Sequence, residues 1–216
     1  MMIQPLTHDV LKNFSGISKS ILIREGNKIR TMSPERTVFV EAVVEDVFPR
    51  EFGVYDLPSF LSVLSLFPTA EIVYEDKYLQ LTDGRRRTRF HYSNPRHIKA
   101  PPAGELNLPP TLMSFVLDKD EIENMLKASS VMKLTNLHIH GNRVVCKTDE
   151  GVSNDYELTI DNVDIASDVD ADTINAKIDI KTLRFIPGNY KVLVSSKAVV
   201  FESQDLTLKY IFMLNA

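Results

Sequence analysis

The chain holds a single cysteine, Cys146, in 216 residues. One thiol excludes an intramolecular disulfide and a zinc site built on cysteines. Its setting, Arg143-Val144-Val145-Cys146-Lys147, reads as a strand carrying a small buried hydrophobe, without the nearby histidine that an activated thiol uses. No apolar run approaches the ~20 residues that a membrane-spanning helix requires. The opening Met1-Met2-Ile3-Gln4-Pro5 lacks the basic-then-apolar order of a secretory signal, so the cytosol is the expected compartment. Catalytic signatures are missing too: there is no glycine-rich loop ending in Lys-Ser/Thr and no serine on a strand-to-helix elbow. Net positive charge is also lacking, the formal charge being −4. That deficit does not exclude nucleic acid as a partner. Much of the acid is concentrated late, in Asp161, Asp164, Asp168, Asp170 and Asp172, and basic groups elsewhere can still converge on one surface. What remains is ordinary for a globular protein, 44% hydrophobic and 25% charged residues, with room for two domains of about 100 residues each.

One helix-start pattern is written four times. A side-chain oxygen at the N-cap accepts from an otherwise unpaired backbone N–H, and an apolar residue before it packs on one in the helix. Leu6-Thr7 with Leu11, Tyr55-Asp56 with Phe60, Leu117-Asp118 with Ile122, and Ile178-Asp179 with Leu183 all fit. Glu121 is placed to complete a capping box. The caps predict helices over 8–19, 57–67, 119–132 and 180–186, the last stopped by Pro187-Gly188. Between them lie segments of period-two alternation. Ile21 to Arg24 and Leu137 to His140 each lead through Gly-Asn into a returning strand, and a second set follows each later helix: 70–74, 77–81 and 88–92, then 190–194, 198–201 and 208–212. The expected class is α+β, two similar domains each with two helices packed on antiparallel sheet. They span residues 1–93 and 111–216, joined by a proline-rich connector over 94–110.

The segments Leu11-Lys12-Asn13-Phe14, Val54-Tyr55-Asp56-Leu57, Phe60-Leu61, Leu64-Ser65-Leu66 and Pro187 to Leu193 make the chain resemble the DNA polymerase sliding clamps, or processivity factors, of T-even-type bacteriophages. That resemblance implies a DNA-clamp fold and a homotrimeric ring with strands outside and helices around the hole. It implies duplex DNA as a sequence-independent partner and a polymerase whose C-terminal peptide enters an apolar pocket. It also implies a clamp-loader ATPase, docking of late-transcription proteins, no catalysis, no cofactor, and a place in the cytoplasm of the infected bacterium. A protein-interaction scaffold that never encloses DNA is the alternative, and a small enzyme with its site between the domains is a third reading.

A clamp that slides contacts phosphates and leaves the base edges unread. The candidate DNA-facing cations are Lys12 and Lys19 on the first predicted helix, Lys127 and Lys133 on the third or just beyond it, and Lys181 and Arg184 on the fourth. The resemblance matches Lys12, Lys127 and Arg184 to basic positions of the family. The second helix has no basic residue between Leu57 and Phe67. Arg85, Arg86, Arg87 and Arg89 form a denser cluster after the Asp83-Gly84 turn and are a secondary candidate for DNA or partner contact. His138 and His140 share a strand face but have no evident third metal ligand. Asp168, Asp170 and Asp172 open like a calcium loop, but Thr173 and Asp179 stand where glycine and glutamate belong. No metal site is expected.

Overall fold

The computed structural model describes residues 2–149 and 154–214. Its contacts divide the chain into two units, Met1–Ala103 and Gly104–Ala216.

In the first unit, α1 (Pro5–Ser15) begins earlier than its expected Thr7 cap. Pro5 occupies the first helical position, where a fixed φ favours the helix and a missing N–H costs nothing. Gln4 precedes it, its backbone N–H donating to the Asp46 carboxylate at 2.8 Å. Thr7 is instead buried in the first turn. The helix also stops short of residue 19, because the Gly16 N–H turns back onto the Asn13 carbonyl and the Ile17 and Ser18 N–H groups close on that of Phe14. The strands β1 (Ile21–Ile23), β2 (Gly26–Met32), β3 (Val38–Phe48) and β4 (Phe52–Val54) follow. The expected β1–β2 hairpin does not form. Buried Ile21 and Ile23 pair with Val54 and Phe52 of β4, while β2 pairs with β3. Gly26, at φ +103°, lets the chain leave β1 in a conformation that a side chain would resist.

The second helix, α2 (Leu57–Leu66), starts as expected, with the Asp56 side chain accepting from the Ser59 N–H at 3.0 Å. Val10, Leu11 and Phe14 of α1 and Leu57, Phe60, Leu61 and Leu64 of α2 are buried, and α1 packs against both α2 and β3. A three-stranded antiparallel sheet closes the unit: β5 (Glu71–Tyr74), β6 (Tyr78–Asp83) and β7 (Arg86–His91), with β7 at its edge. Part of the proline-rich stretch is a strap on this unit. Ile98 is buried, and a Cβ on Gly53 would meet its Cδ1 at 2.5 Å. Arg24 donates to the Pro101 carbonyl, and Arg30 to those of Pro102 and Ala103.

The second unit opens with β8 (Thr111–Leu117) and α3 (Lys119–Met132). The predicted capping box is present, with Asp118 and Glu121 each accepting the other's N–H at 2.8 Å; such a cap contributes about 1 kcal/mol. The hairpin of β9 (Asn136–His140) and β10 (Arg143–Lys147) turns at Gly141, φ +54°, as the Gly-Asn signal implied. Then come β11 (Tyr156–Thr159), β12 (Asp164–Ile165), β13 (Asn175–Asp179), β14 (Tyr190–Ser195), β15 (Ala198–Ser203) and β16 (Leu208–Met213). Antiparallel pairing gives the orders β11-β10-β9-β13 and β12-β8-β14-β15-β16.

The fourth predicted helix is absent. A single 3-10 turn, Ile180–Thr182, stands there, and the Asp179 carboxylate accepts from the Lys181 N–H two residues on. Pro187 disfavours a helical conformation at Ile186. Two tyrosines take the backbone groups that a helix would have used: the Tyr210 hydroxyl accepts from the Ile186 N–H, and the Tyr190 hydroxyl donates to the Ile186 carbonyl. Burial pushes the Tyr190 hydroxyl well above the ordinary phenol range. Phe185 is thereby fixed among Tyr190, Phe201, Tyr210 and Phe212, with ring centroids 4.8 to 5.9 Å away.

Candidate nucleic-acid interface

In the first unit Lys12 is exposed on the last turn of α1. Lys19 is exposed too, but on the loop beyond the helix, so the shared helical face expected of this pair does not exist. Lys19 is nevertheless placed, because its carbonyl accepts from the Leu57 N–H at 2.7 Å. That bond ties the loop to the start of α2. The Asp56 carboxyl there is held below the usual range by its hydrogen bonds from Ser59 and, less strongly, by the Lys19 charge. A helix without cations of its own thus has one beside its N-terminus.

In the second unit Lys127 is exposed on α3, and Lys133 is its C-cap in the left-handed conformation, φ +57°. The N–H of the next residue, Leu134, returns to the Ser129 carbonyl at 2.9 Å. Lys181 lies on the 3-10 turn with its ammonium 2.7 Å from the Asp179 carboxylate. Arg184 follows the turn, exposed. Loss of the fourth helix removes the i, i+3 relation that would have faced Lys181 and Arg184 the same way.

The arginine cluster is split by the strand that carries it. Arg85 sits in the turn; Arg87 and Arg89 alternate onto one face of β7, and Arg86 onto the other. Arg89 lies over the Tyr78 ring at 4.9 Å. Arg86 pairs with Asp83 and lies over Phe67, the residue closing α2, at 5.2 Å. Among the described residues no group of three His, Cys, Asp or Glu could hold a metal ion. The His140 Nδ1 is within 3.1 Å of the Ile174 carbonyl, and burial, with Lys147 and Lys177 nearby, holds the His138 ring below its usual pKa.

Residues 4–93 match the family of DNA polymerase processivity factors. The chain is 35% identical to the sliding clamp of Vibrio phage KVP40, in a match spanning 63% of either chain. To the sliding clamp of Enterobacteria phage T4 it is 27% identical, over 97% of this chain and 95% of that one. The relatives that it matches are sliding clamps of bacteriophages. Its fold agrees: the A. fulgidus PCNA structure solved with the C-terminal region of FEN-1 superposes with a TM-score of 0.67 at 16% identity, over 99% of this chain and 95% of that one. Processivity factors of this family are accessory proteins rather than catalysts. No helix among the described residues is long and apolar enough to cross a membrane.

Sequence reasoning missed two surfaces with a bearing on clamp function. Leu66, at the end of α2, is 65% exposed, and Val131, on the last turn of α3, is 76% exposed. Val131 borders a shallow cleft of about 530 Å³ with Asn124, Lys127, Ala128, Met132 and Tyr156. Both residues sit within helical apolar patterns, so only a structure separates them from the core. Phe67, next to Leu66, is covered by Arg86 of the β7 edge, and Val131 lines its cleft with Tyr156 of the β11 edge.

Proposed function

We propose that three copies of the chain close head to tail into a ring around duplex DNA and hold the replicative DNA polymerase on its template. The observation that carries this reading is the pair of unlike open edges. The β7 edge has Phe90 on its helix-covered face, 4.9 Å from Phe60 of α2, with exposed Leu66 at that helix's end. The β11 edge has Tyr156 on the corresponding face and the α3 cleft beside it. An unpaired strand edge is a template for another strand. Pairing β7 of one copy with β11 of the next continues the sheet across the joint and seats Leu66 in the neighbour's cleft. Because the surfaces differ, the contact is heterologous, and it closes into a ring of three when each joint turns the chain by a third of a full rotation.

Lys12, Lys19, Lys127, Lys133 and Arg184 then meet the phosphates of the enclosed duplex. Contacts of this kind are independent of sequence and sensitive to salt. Few are needed, because enclosure and not affinity keeps the ring on DNA. Lys181, neutralised by Asp179, adds less. The protein catalyses nothing in this role. A C-terminal peptide of the polymerase docks on it, a clamp-loader ATPase opens it, and late-transcription proteins use the same platform, in the cytoplasm of an infected bacterium.

Light scattering tests the assembly. The expected mass at micromolar concentration is three times the 24.5 kDa of one chain. A mass of one chain would overturn the ring and favour a protein-interaction scaffold.

A further inference from the structure

We infer that a cavity between the start of α1 and the end of α2 docks an internal segment of a partner protein, one with an aromatic or large aliphatic side chain beside a lysine or arginine. The cavity holds about 340 Å³, at the lower end of the ~300–1,000 Å³ of ligand sites. Its lining is mostly apolar: Ile3 and Pro5 around the start of α1, Leu64 and Phe67 at the end of α2, and Ala70 and Ile72 at β5. Leu64, Ala70 and Ile72 are buried and make the floor, while Pro5 is exposed at the rim. Met2, 51% exposed beside Ile3, extends the apolar surface outside it. Backbone bonds hold this lining in place. The Gln4 N–H, between Ile3 and Pro5, donates to the Asp46 carboxylate at 2.8 Å. The Phe67 and Ala70 N–H groups close on the Leu64 and Phe67 carbonyls at 3.0 and 3.2 Å. A site already formed loses little freedom when it is filled.

Charge selects the occupant. Asp9 is the one carboxylate among the described residues that line the cavity, and no lysine or arginine stands with it. Its side chain is 71% exposed and has a long contact, 3.9 Å, to the His8 ring. Arg86, which lies over the Phe67 ring, is already paired with Asp83. A cation next to an apolar anchor is therefore favoured at this mouth, and an anion is disfavoured. A C-terminal peptide ends in a carboxylate and fits poorly, so the segment is an internal one. Leu64, Ser65 and Phe67 line the cavity and Leu66 does not, which leaves Leu66 to the joint proposed above. Every lining residue belongs to one unit of one copy, so the site does not depend on ring closure. It would let the protein hold a second partner beside the polymerase.

The test uses the full-length chain and three fluorescein-labelled, amidated peptides, read by fluorescence anisotropy at low salt without DNA. The peptide Ser-Gly-Phe-Arg-Lys-Gly-Ser is expected to bind with a dissociation constant below ~1 mM. Glycine in place of its phenylalanine should weaken binding by ~10-fold or more, through loss of the buried ring. Two glutamates in place of its arginine and lysine should weaken it by roughly 3- to 10-fold, the scale of exposed ion pairs. Asp9→Lys is expected to remove the preference for the basic peptide. Ser65→Trp, which fills the cavity from its rim, is expected to remove binding of all three. Both substitutions fall at exposed positions, and thermal unfolding establishes that each variant is folded. Absence of binding to the parent below ~1 mM overturns the proposal, as does binding that both variants keep. Equal binding of the glutamate peptide overturns the partner chemistry named here. Loss of three-copy mass by Ser65→Trp, with no peptide bound by the parent, would assign the cavity to a second copy and overturn the proposal as well. If the parent is itself a single chain, the ring reading falls while peptide binding is still read.

Discussion

A chain carrying Lys12→Gln, Lys127→Gln and Arg184→Gln together is expected to assemble as the parent does and to lose at least ~10-fold of its stimulation of the polymerase at physiological salt. Lys12 and Lys127 are exposed on α1 and α3, and Arg184 is exposed beyond the 3-10 turn. Glutamine keeps a shorter aliphatic stem at Lys127, where the side chain borders the α3 cleft, and removes the charge. Each phosphate contact contributes about 0.9 to the slope of log affinity against log salt, so the slope flattens by about 2.7 for each copy whose three groups touch phosphates. Polymerase stimulation measured from low to moderate salt reads both effects. An unchanged salt dependence would show that these three groups do not face the duplex.

Leu66→Asp is expected to convert the ring into single chains while leaving each chain folded. Leu66 is 65% exposed, so its replacement changes the stability of one copy by about 0.5 kcal/mol or less. In the proposed ring the same side chain would fill the neighbour's cleft among Ala128, Val131, Met132 and Tyr156. A carboxylate there is buried without a partner. Truncating or charging a central interface side chain costs about 2–3 kcal/mol per joint, roughly a hundredfold in its dissociation constant. Sedimentation at micromolar concentration, with thermal unfolding in parallel, separates the two effects. A Leu66→Asp chain that keeps three-copy mass would remove Leu66 from the joint.

Where local chemistry alone decides, the sequence was readable. Asp118 and Glu121 announce α3 because each supplies an acceptor to the other's backbone, and Gly141-Asn142 announces its hairpin because that turn favours positive φ. Where a distant partner decides, it was not. The Asp179 signal resembles the other caps, yet the Tyr190 and Tyr210 hydroxyls, contributed from later strands, hold Ile186 instead. The strand β1 reads as half of a local hairpin, but its buried partner is β4, some thirty residues on. The strand β3 went unassigned although Val38, Val40, Ala42 and Val44 alternate inward; buried Asp46 interrupts that pattern and is spoken for by the Gln4 N–H.

The candidate site divides in the same way. That Lys12 and Lys127 are exposed follows from their positions opposite apolar stripes, whereas Arg184 is exposed beyond a 3-10 turn and not on the helix expected of it. The arginines of β7 were visible only as a dense cluster. Their separation onto two faces follows from alternation along β7, whereas the edge positions of β7 and β11 depend on which strands end the sheets. Edge status is a property of topology, and no local pattern of residues encodes it. The exposed Leu66 and Val131 were hidden for a related reason, since an apolar residue at a helix end looks the same in sequence whether it is covered by its own chain or by a neighbour.

Retention on circular DNA tests the account most directly. A ring loaded on a closed circle is expected to stay through a high-salt wash that screens phosphate contacts, and to leave within the time of sliding once the circle is cut. Retention that is unchanged by cutting, or that is lost from the intact circle at high salt, would contradict enclosure and mean that surface affinity holds the protein to DNA.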